Sequence, residues 1–148
     1  MMLTTVRRKA TRRAAFTLLE VLVVVAILVI LAGVATVATT RYLEDAKKSR
    51  AQLGCQGIAQ AIEAYMLSPG NPTGEGPGQL SQLYQPQWGG TSFLRNGEQD
   101  TIDPWNQHYS IEPATKSDGS PYYLVRTTAS DKTPISQFGI GDKAQPRF

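Results

Sequence analysis

The sequence predicts an α+β fold, in which one long amino-terminal helix (a membrane half and an amphipathic half) packs on a small antiparallel β-sheet. Three observations lead to this prediction. Residues 21–40 form an apolar run without a charge. Residues 41–67 continue it without a break, with apolar side chains three or four positions apart, which is the period of a helix. Short β-type segments occur only later, and 148 residues allow one folded domain with attachments.

Charge is distributed unevenly along the chain. Residues 1–15 carry five basic side chains and no acidic one, which leaves ten basic against twelve acidic residues in the rest. The sequence pI of about 9.1 therefore comes from a basic leader peptide. Because the remaining body is mildly acidic, the sequence argues against a nucleic-acid-binding protein. Basic residues before an apolar run also predict a cytoplasmic leader and a carboxy-terminal portion outside the cytoplasm.

The apolar run is long enough to span a membrane. Twenty helical residues extend about 30 Å, the thickness of the hydrocarbon core, and this run lacks the polar stripe of a soluble core helix. We therefore predict a transmembrane helix half over residues 16–40. The alternative is an ordinary secretory signal peptide that releases a soluble domain. Its apolar region would be 7–15 residues long and would end at a small-residue cleavage site, which this sequence does not clearly show.

Glu20 is the unusual residue of the apolar stretch. A carboxylate at the centre of a membrane span costs about 2.5–3.5 kcal/mol on insertion scales, and less near the interface. The next basic residue on its carboxyl side is Arg41, far beyond one or two helical turns. Two explanations remain open: Glu20 reaches the lipid headgroups, or it pairs with a cation that is created after synthesis.

The segment Ala15-Phe16-Thr17-Leu18-Leu19-Glu20, after a basic leader, resembles the class III signal of type IV pilins and type II secretion pseudopilins. This resemblance implies that prepilin peptidase cuts between Ala15 and Phe16 and methylates the new amino group of Phe16. It also implies that this amine neutralises Glu20, in the same subunit or in a neighbour. The chain departs from the family pattern at Ala15, where Gly is usual, and at Val37, where many relatives have Pro.

Two later segments resemble the major pseudopilins of type II secretion (general secretion pathway protein G). Residues 102–109, IDPWNQHY, are similar to the D-P-W-x-x-x-Y segment, and residues 138–142, FGIGD, to the start of the F-S-x-G-x-D-G stretch. The resemblance implies a pilin-like fold and a non-enzymatic, single-pass inner-membrane subunit that polymerises with itself and other pseudopilins into a periplasmic filament. Prepilin peptidase, the assembly platform and its ATPase-driven machinery would be its partners. A type IV pilus or competence pilin, and an anchored domain that does not assemble, remain alternatives.

The resemblance also raises the question of calcium. In that family, acidic residues and backbone carbonyls of the terminal loop hold one Ca²⁺, an ion that takes six to eight oxygen ligands. After Phe138 this chain offers a single carboxylate, Asp142, as a weak candidate. We therefore expect the site to be lost or severely weakened and no other cofactor to be present. Asp118 or Asp131 could contribute only if the fold brings them close.

The remaining sequence predicts an amphipathic helix half over residues 41–67 and a loop-rich β domain over residues 68–148. In the helix half, Glu44 and Lys48 have the spacing of a favourable i, i+4 pair. Ser68-Pro69-Gly70 ends the helix. The apolar positions expected to pack on the domain are Tyr42, Leu43, Ala46, Leu53, Ile58, Ala61, Ile62, Tyr65 and Met66. The β domain is expected to contain a helical turn at 79–84 and strands at 109–112, 122–128 and 137–140. The first two strands are expected to form a hairpin, whose register the sequence does not determine.

No group of residues suggests catalysis. His108 is the single histidine and is expected at a surface or strand edge. Cys55, the single cysteine, is expected to be a buried structural thiol, with an intermolecular disulfide as the alternative. Asp103-Pro104-Trp105 is expected to form a turn with the tryptophan as a core or interface anchor.

Overall fold

The computed structural model describes residues 16–146 and confirms the α+β prediction. Two α-helices, α1 and α2, precede a four-stranded antiparallel sheet in the order β1-β2-β3-β4, and short 3-10 helices lie before and after the sheet. The chain divides after Arg41 into two compact units. The bounds are α1 Leu18–Met66, α2 Ser81–Tyr84, β1 Ser110–Thr115, β2 Pro121–Thr128, β3 Pro134–Ser136 and β4 Gly139–Ile140, with 3-10 helices at Gly97–Thr101 and Gly141–Ala144.

The first unit contributes the apolar part of α1. Among the described residues, α1 is the one helix that is long and apolar enough to cross a membrane, with a mean hydropathy of 3.1 over its apolar window. Within the described residues, none of this apolar segment is buried. The hydroxyls of Thr36 and Thr39 donate to the carbonyls of Ala32 and Ala35 at 2.9 and 2.8 Å, so these polar groups are satisfied within the helix.

The second unit has a core built on one stripe of α1. Five buried positions follow each other at intervals of four and three residues, so they lie on one face of the helix: Ala51, Cys55, Ile58, Ile62 and Tyr65. Ala61, next to Ile62, is buried as well. They pack with buried residues of the sheet and loops, namely Leu83, Leu94, Tyr109, Val125, Ala129 and Ile135.

Four positions of the predicted stripe are wrong, and one of them, Ala46, is an exposed residue before the buried stripe begins. Tyr42, Leu43 and Leu53 are 75%, 56% and 67% exposed. Leu53 lies two residues from Cys55, about 200° away around the helix, so it cannot share the face of Cys55. Tyr42 and Leu43 precede Ala51, the first residue of α1 that is buried in the core.

The sheet is a meander of antiparallel strands. β1 pairs with β2 from Ser110↔Arg126 to Thr115↔Pro121, which confirms the predicted hairpin and supplies its register. The predicted third strand at 137–140 is partly wrong, because two short strands, β3 and β4, occupy this region. Gln137 lies between them, and its side chain donates to the Tyr123 carbonyl (2.6 Å) and accepts from the Val125 amide (2.8 Å). These side-chain bonds join Gln137 to β2 between the two short strands.

The predicted pair of Glu44 with Lys48 is also wrong. The Lys48 ammonium lies 2.5 Å from the Asp131 carboxylate, whereas Glu44 pairs with Lys47 at 3.1 Å. An exposed i, i+4 pair contributes only a few tenths of a kcal/mol. A carboxylate brought to the helix by the turn between β2 and β3 therefore competes successfully for Lys48.

Gly54 and Gly57 lie on α1 in the second unit and give a matched test of how the side chain of Tyr109 packs on this helix. A Cβ on Gly54 would lie 2.2 Å from the hydroxyl oxygen of buried Tyr109, whereas a Cβ on Gly57 would meet no atom within 4 Å. We expect Gly54→Ala to lower the free energy of unfolding. Gly57→Ala should leave it unchanged or raise it by up to about 1 kcal/mol through helix propensity. Chemical denaturation measures both; equal effects of the two substitutions would contradict the packing of Tyr109 on Gly54.

Candidate functional site

The first turn of α1 is capped by Thr17. The backbone N–H of Glu20 donates to the Thr17 hydroxyl oxygen at 3.2 Å and to the Thr17 carbonyl at 3.1 Å, and Val21 donates to the same carbonyl at 3.3 Å. A threonine hydroxyl that accepts from the third helical amide is a standard N-cap arrangement. The cap places Glu20 in the first turn, where the helix dipole favours a negative charge.

The surroundings of Glu20 are apolar and open. Phe16, Leu18 and Leu19 are 78%, 83% and 72% exposed. Within residues 16–146, no ion pair or side-chain donor to the Glu20 carboxylate is present. The predicted cleavage between Ala15 and Phe16, the methylation of Phe16 and the pairing of its amine with Glu20 stay predictions. Ala15 and the leader, residues 1–15, lie outside the described residues.

The D-P-W segment forms a turn around a buried carboxylate. Asp103 is 5% exposed. One of its oxygens accepts from the Trp105 and Gln107 amides at 2.9 and 2.8 Å, and the other from the Thr127 hydroxyl at 2.5 Å. The Asp103 amide donates to the Gln107 carbonyl at 2.7 Å and closes the turn. These bonds confirm the turn interpretation and tie the turn to β2.

Cys55 occupies a structural position in the core, and His108 lies at the surface. Cys55 is fully buried, as predicted, and burial raises the pKa of its thiol to about 12, so it is a neutral thiol at physiological pH. His108 is exposed, forms an isolated β-bridge with Ile102, and has its Nδ1 3.4 Å from the Thr101 hydroxyl. This agrees with a strand-edge histidine.

The acidic residues considered for calcium do not converge. Asp142 is exposed in the second 3-10 helix. Asp118 accepts from the amide and hydroxyl of Ser120 at 2.8 and 2.6 Å, and Asp131 is paired with Lys48. Over residues 16–146, no group of three or more His, Cys, Asp or Glu side chains could hold a metal ion. Asp118, Asp131 and Asp142 therefore do not form such a group, and the expected loss of the calcium site stays a prediction.

The buried Asp103 network gives a testable energetic prediction. Asp103→Ala leaves the Trp105 and Gln107 amides, which are partly buried, and the buried Thr127 hydroxyl without their acceptor, so we expect a loss of about 2–4 kcal/mol in the free energy of unfolding. Asp142→Ala, an exposed acid, should change it by less than about 0.5 kcal/mol. Denaturant unfolding of both variants measures the difference. A loss at Asp103 no larger than at Asp142 would contradict the network.

Comparison with known families finds one match. The prokaryotic N-terminal methylation motif matches residues 10–36, which contain Ala15, Phe16, Thr17 and Glu20. No curated protein and no solved structure matches the chain. Together with the exposed apolar part of α1, the motif is consistent with membrane anchoring. The chain therefore combines the methylation motif of prepilins with an α+β, pilin-like arrangement, which indicates a type IV pilin-like subunit that prepilin peptidase processes.

Proposed function

We propose that the chain is a pseudopilin of a type II protein secretion system. It is a single-pass inner-membrane subunit with a cytoplasmic leader and a periplasmic domain, cut between Ala15 and Phe16 and methylated at Phe16. One observation carries the proposal. The methylation motif coincides with an exposed apolar helix whose first turn presents Glu20, the one charged residue between positions 16 and 40.

The exposed apolar part of α1 explains assembly physically. Lipid covers these side chains in the resting subunit, and the helices of neighbouring subunits replace lipid in the filament. An amine released at Phe16 would offset much of the desolvation cost of Glu20, because opposite charges interact strongly in a low-dielectric setting. Other pseudopilins, the assembly platform and its ATPase supply the partners and the work. The subunit thus has a mechanical role and no enzymatic one.

Two features favour secretion over a type IV pilus or a competence filament. The D-P-W turn, organised by Asp103, corresponds to the segment that resembles major pseudopilins. The sequence has a single cysteine, so it cannot form the intrachain disulfide that closes the carboxy-terminal loop of many pilins. The amino-terminal motif is common to both systems, so a pilus or competence subunit is the second candidate.

Glu20 tests the assembly mechanism. Glu20→Gln removes the charge and keeps the size, so we expect normal membrane insertion and an assembly yield reduced at least about tenfold, the effect of roughly 1.4 kcal/mol. Glu63→Gln makes the same change at an exposed position of α1 and should leave assembly unchanged. Sheared-filament yield and membrane fractionation measure both. Wild-type filament yield from Glu20→Gln would contradict the pairing.

Deletion of the gene distinguishes a type II secretion subunit from a pilus or competence subunit. In the secretion proposal, exported proteins accumulate in the periplasm of the deletion strain while surface motility and DNA uptake stay normal. Loss of motility or of DNA uptake with intact secretion would replace the proposal by the pilus or competence alternative. Complementation with the wild-type gene is the control.

We also propose that the domain folds without calcium. Its acids are dispersed or already paired, so chelation with EGTA should shift the thermal midpoint by less than about 1 °C, corresponding to a negligible change in stability. Adding excess Ca²⁺ back to the chelated protein is the control. A chelator-induced fall of several degrees that Ca²⁺ reverses would show that a site exists.

A further inference from the structure

The first residues of the second unit are not held in place by its apolar core. Between Tyr42 and Ala51, no residue of α1 is buried in the core, and Tyr42 and Leu43 expose most of their surface. Residues 42–49, named here the latch segment, therefore gain little from apolar burial. Polar contacts must hold them in place.

Glu44 provides the first set of contacts. One of its carboxylate oxygens accepts from the indole Nε1 of Trp105 at 3.2 Å and from the Ser130 hydroxyl at 2.9 Å. The other accepts from the Lys47 ammonium at 3.1 Å. A single side chain of α1 thus binds both the D-P-W turn and the turn between β2 and β3.

Lys48 provides the second set. Its ammonium lies 2.5 Å from one oxygen of Asp131, whose other oxygen accepts from the Thr133 amide at 3.1 Å. Lys132 has a φ of +66°, in the left-handed region, which forms the tight turn that carries Asp131. Lys48 therefore fastens the latch segment to the same turn as Glu44 does.

Both docking turns are fixed without the latch segment. The D-P-W turn is held by Asp103 and its bond to Thr127. The β2–β3 turn is closed by backbone bonds between Ala129 and Thr133, at 3.0 Å, and between Lys132 and Ala129, at 2.9 Å. Ala129 itself is buried. The latch segment can therefore leave these turns while they keep their positions.

We propose that residues 42–49 form a polar latch, which opens and closes on the D-P-W and β2–β3 turns while the domain from Ala51 onward stays folded. The segment itself has no buried apolar side chain, so opening breaks chiefly its polar contacts, which are exposed or partly buried and contribute little each. At Ala51 the buried stripe begins, and its apolar contacts stop the opening. Under the proposed function, on which this role rests, the latch lets the beginning of the domain helix loosen as the subunit leaves the bilayer.

The charges of the latch make it sensitive to acid. Hydrogen bonds from Ser130, Lys47 and Trp105 lower the pKa of Glu44, and the hydrogen bond from Lys48 lowers that of Asp131. Asp45 on α1 also acts electrostatically on Lys48. The two turns that the latch contacts carry two further charged residues, Asp103 and Lys132. Because folding lowers the pKa of both acids, their contribution to the stability of the closed latch is fully present above their ordinary pKa values of 4.5 and 3.8 and decreases as pH falls below them.

Hydrogen exchange followed by mass spectrometry tests the latch in the full-length protein in detergent micelles. In wild type, we expect peptides covering 42–49 to exchange faster than peptides covering 55–65. Glu44→Gln and Trp105→Phe, which removes the indole N–H and keeps an aromatic ring, should each speed exchange in 42–49 roughly three- to tenfold. Exchange in 55–65 should stay unchanged. Asp45→Asn, the same loss of charge on an acid without a side-chain hydrogen bond, is the matched control and should change neither.

Two results would overturn the latch. Equal acceleration of 42–49 and 55–65 in Glu44→Gln would mean that the segment opens only when the whole domain unfolds. No acceleration in either variant would mean that Glu44 and Trp105 do not hold the segment. The experiment needs neither cleavage nor assembly, so its result can be interpreted even if the proposed secretion function fails. A failure of the latch likewise leaves the secretion proposal unaffected.

Discussion

The proposed role of the chain depends on one carboxylate placed among apolar side chains. Glu20 lies in the first turn of a helix that carries no other charge as far as Thr40, and no described side chain pairs with it. A buried or membrane-embedded charge is tolerated when a partner compensates its desolvation. The methylation motif over residues 10–36 identifies the chemistry that would create such a partner, an amino group released next to the helix start.

The same helix meets two different requirements along its length. Between Val21 and Val34 its large apolar side chains are exposed, as expected of a surface that lipid or another helix covers. From Ala51, its buried positions follow a stripe that packs on the sheet. Between these two parts, Glu44 and Lys48 hold the helix by polar contacts with the two turns. Under the proposed function, assembly and folding would therefore use different residues of one element.

Local patterns in the sequence predicted the fold class, the long helix, the burial of Cys55 and the β1–β2 hairpin, because helical and strand periods depend on near neighbours. Contacts between distant residues were not predictable in this way. Asp131 is 83 residues from Lys48, and Trp105 is 61 residues from Glu44. The short strand β3 begins with Pro134, which cannot donate a hydrogen bond, and this weakens its strand signal. At the candidate site, the sequence identified Glu20 as anomalous but did not reveal that Thr17 caps its turn.

The mass of the mature protein, purified from its native membrane, tests the central claim most directly. If an amine is created for Glu20, the polypeptide starts at Phe16 and carries one additional methyl group on its amino terminus. A filament subunit that retains residues 1–15, or a mature chain that starts after the apolar run, near Ala38, would contradict the account, because in either case Glu20 would never meet the amine of Phe16.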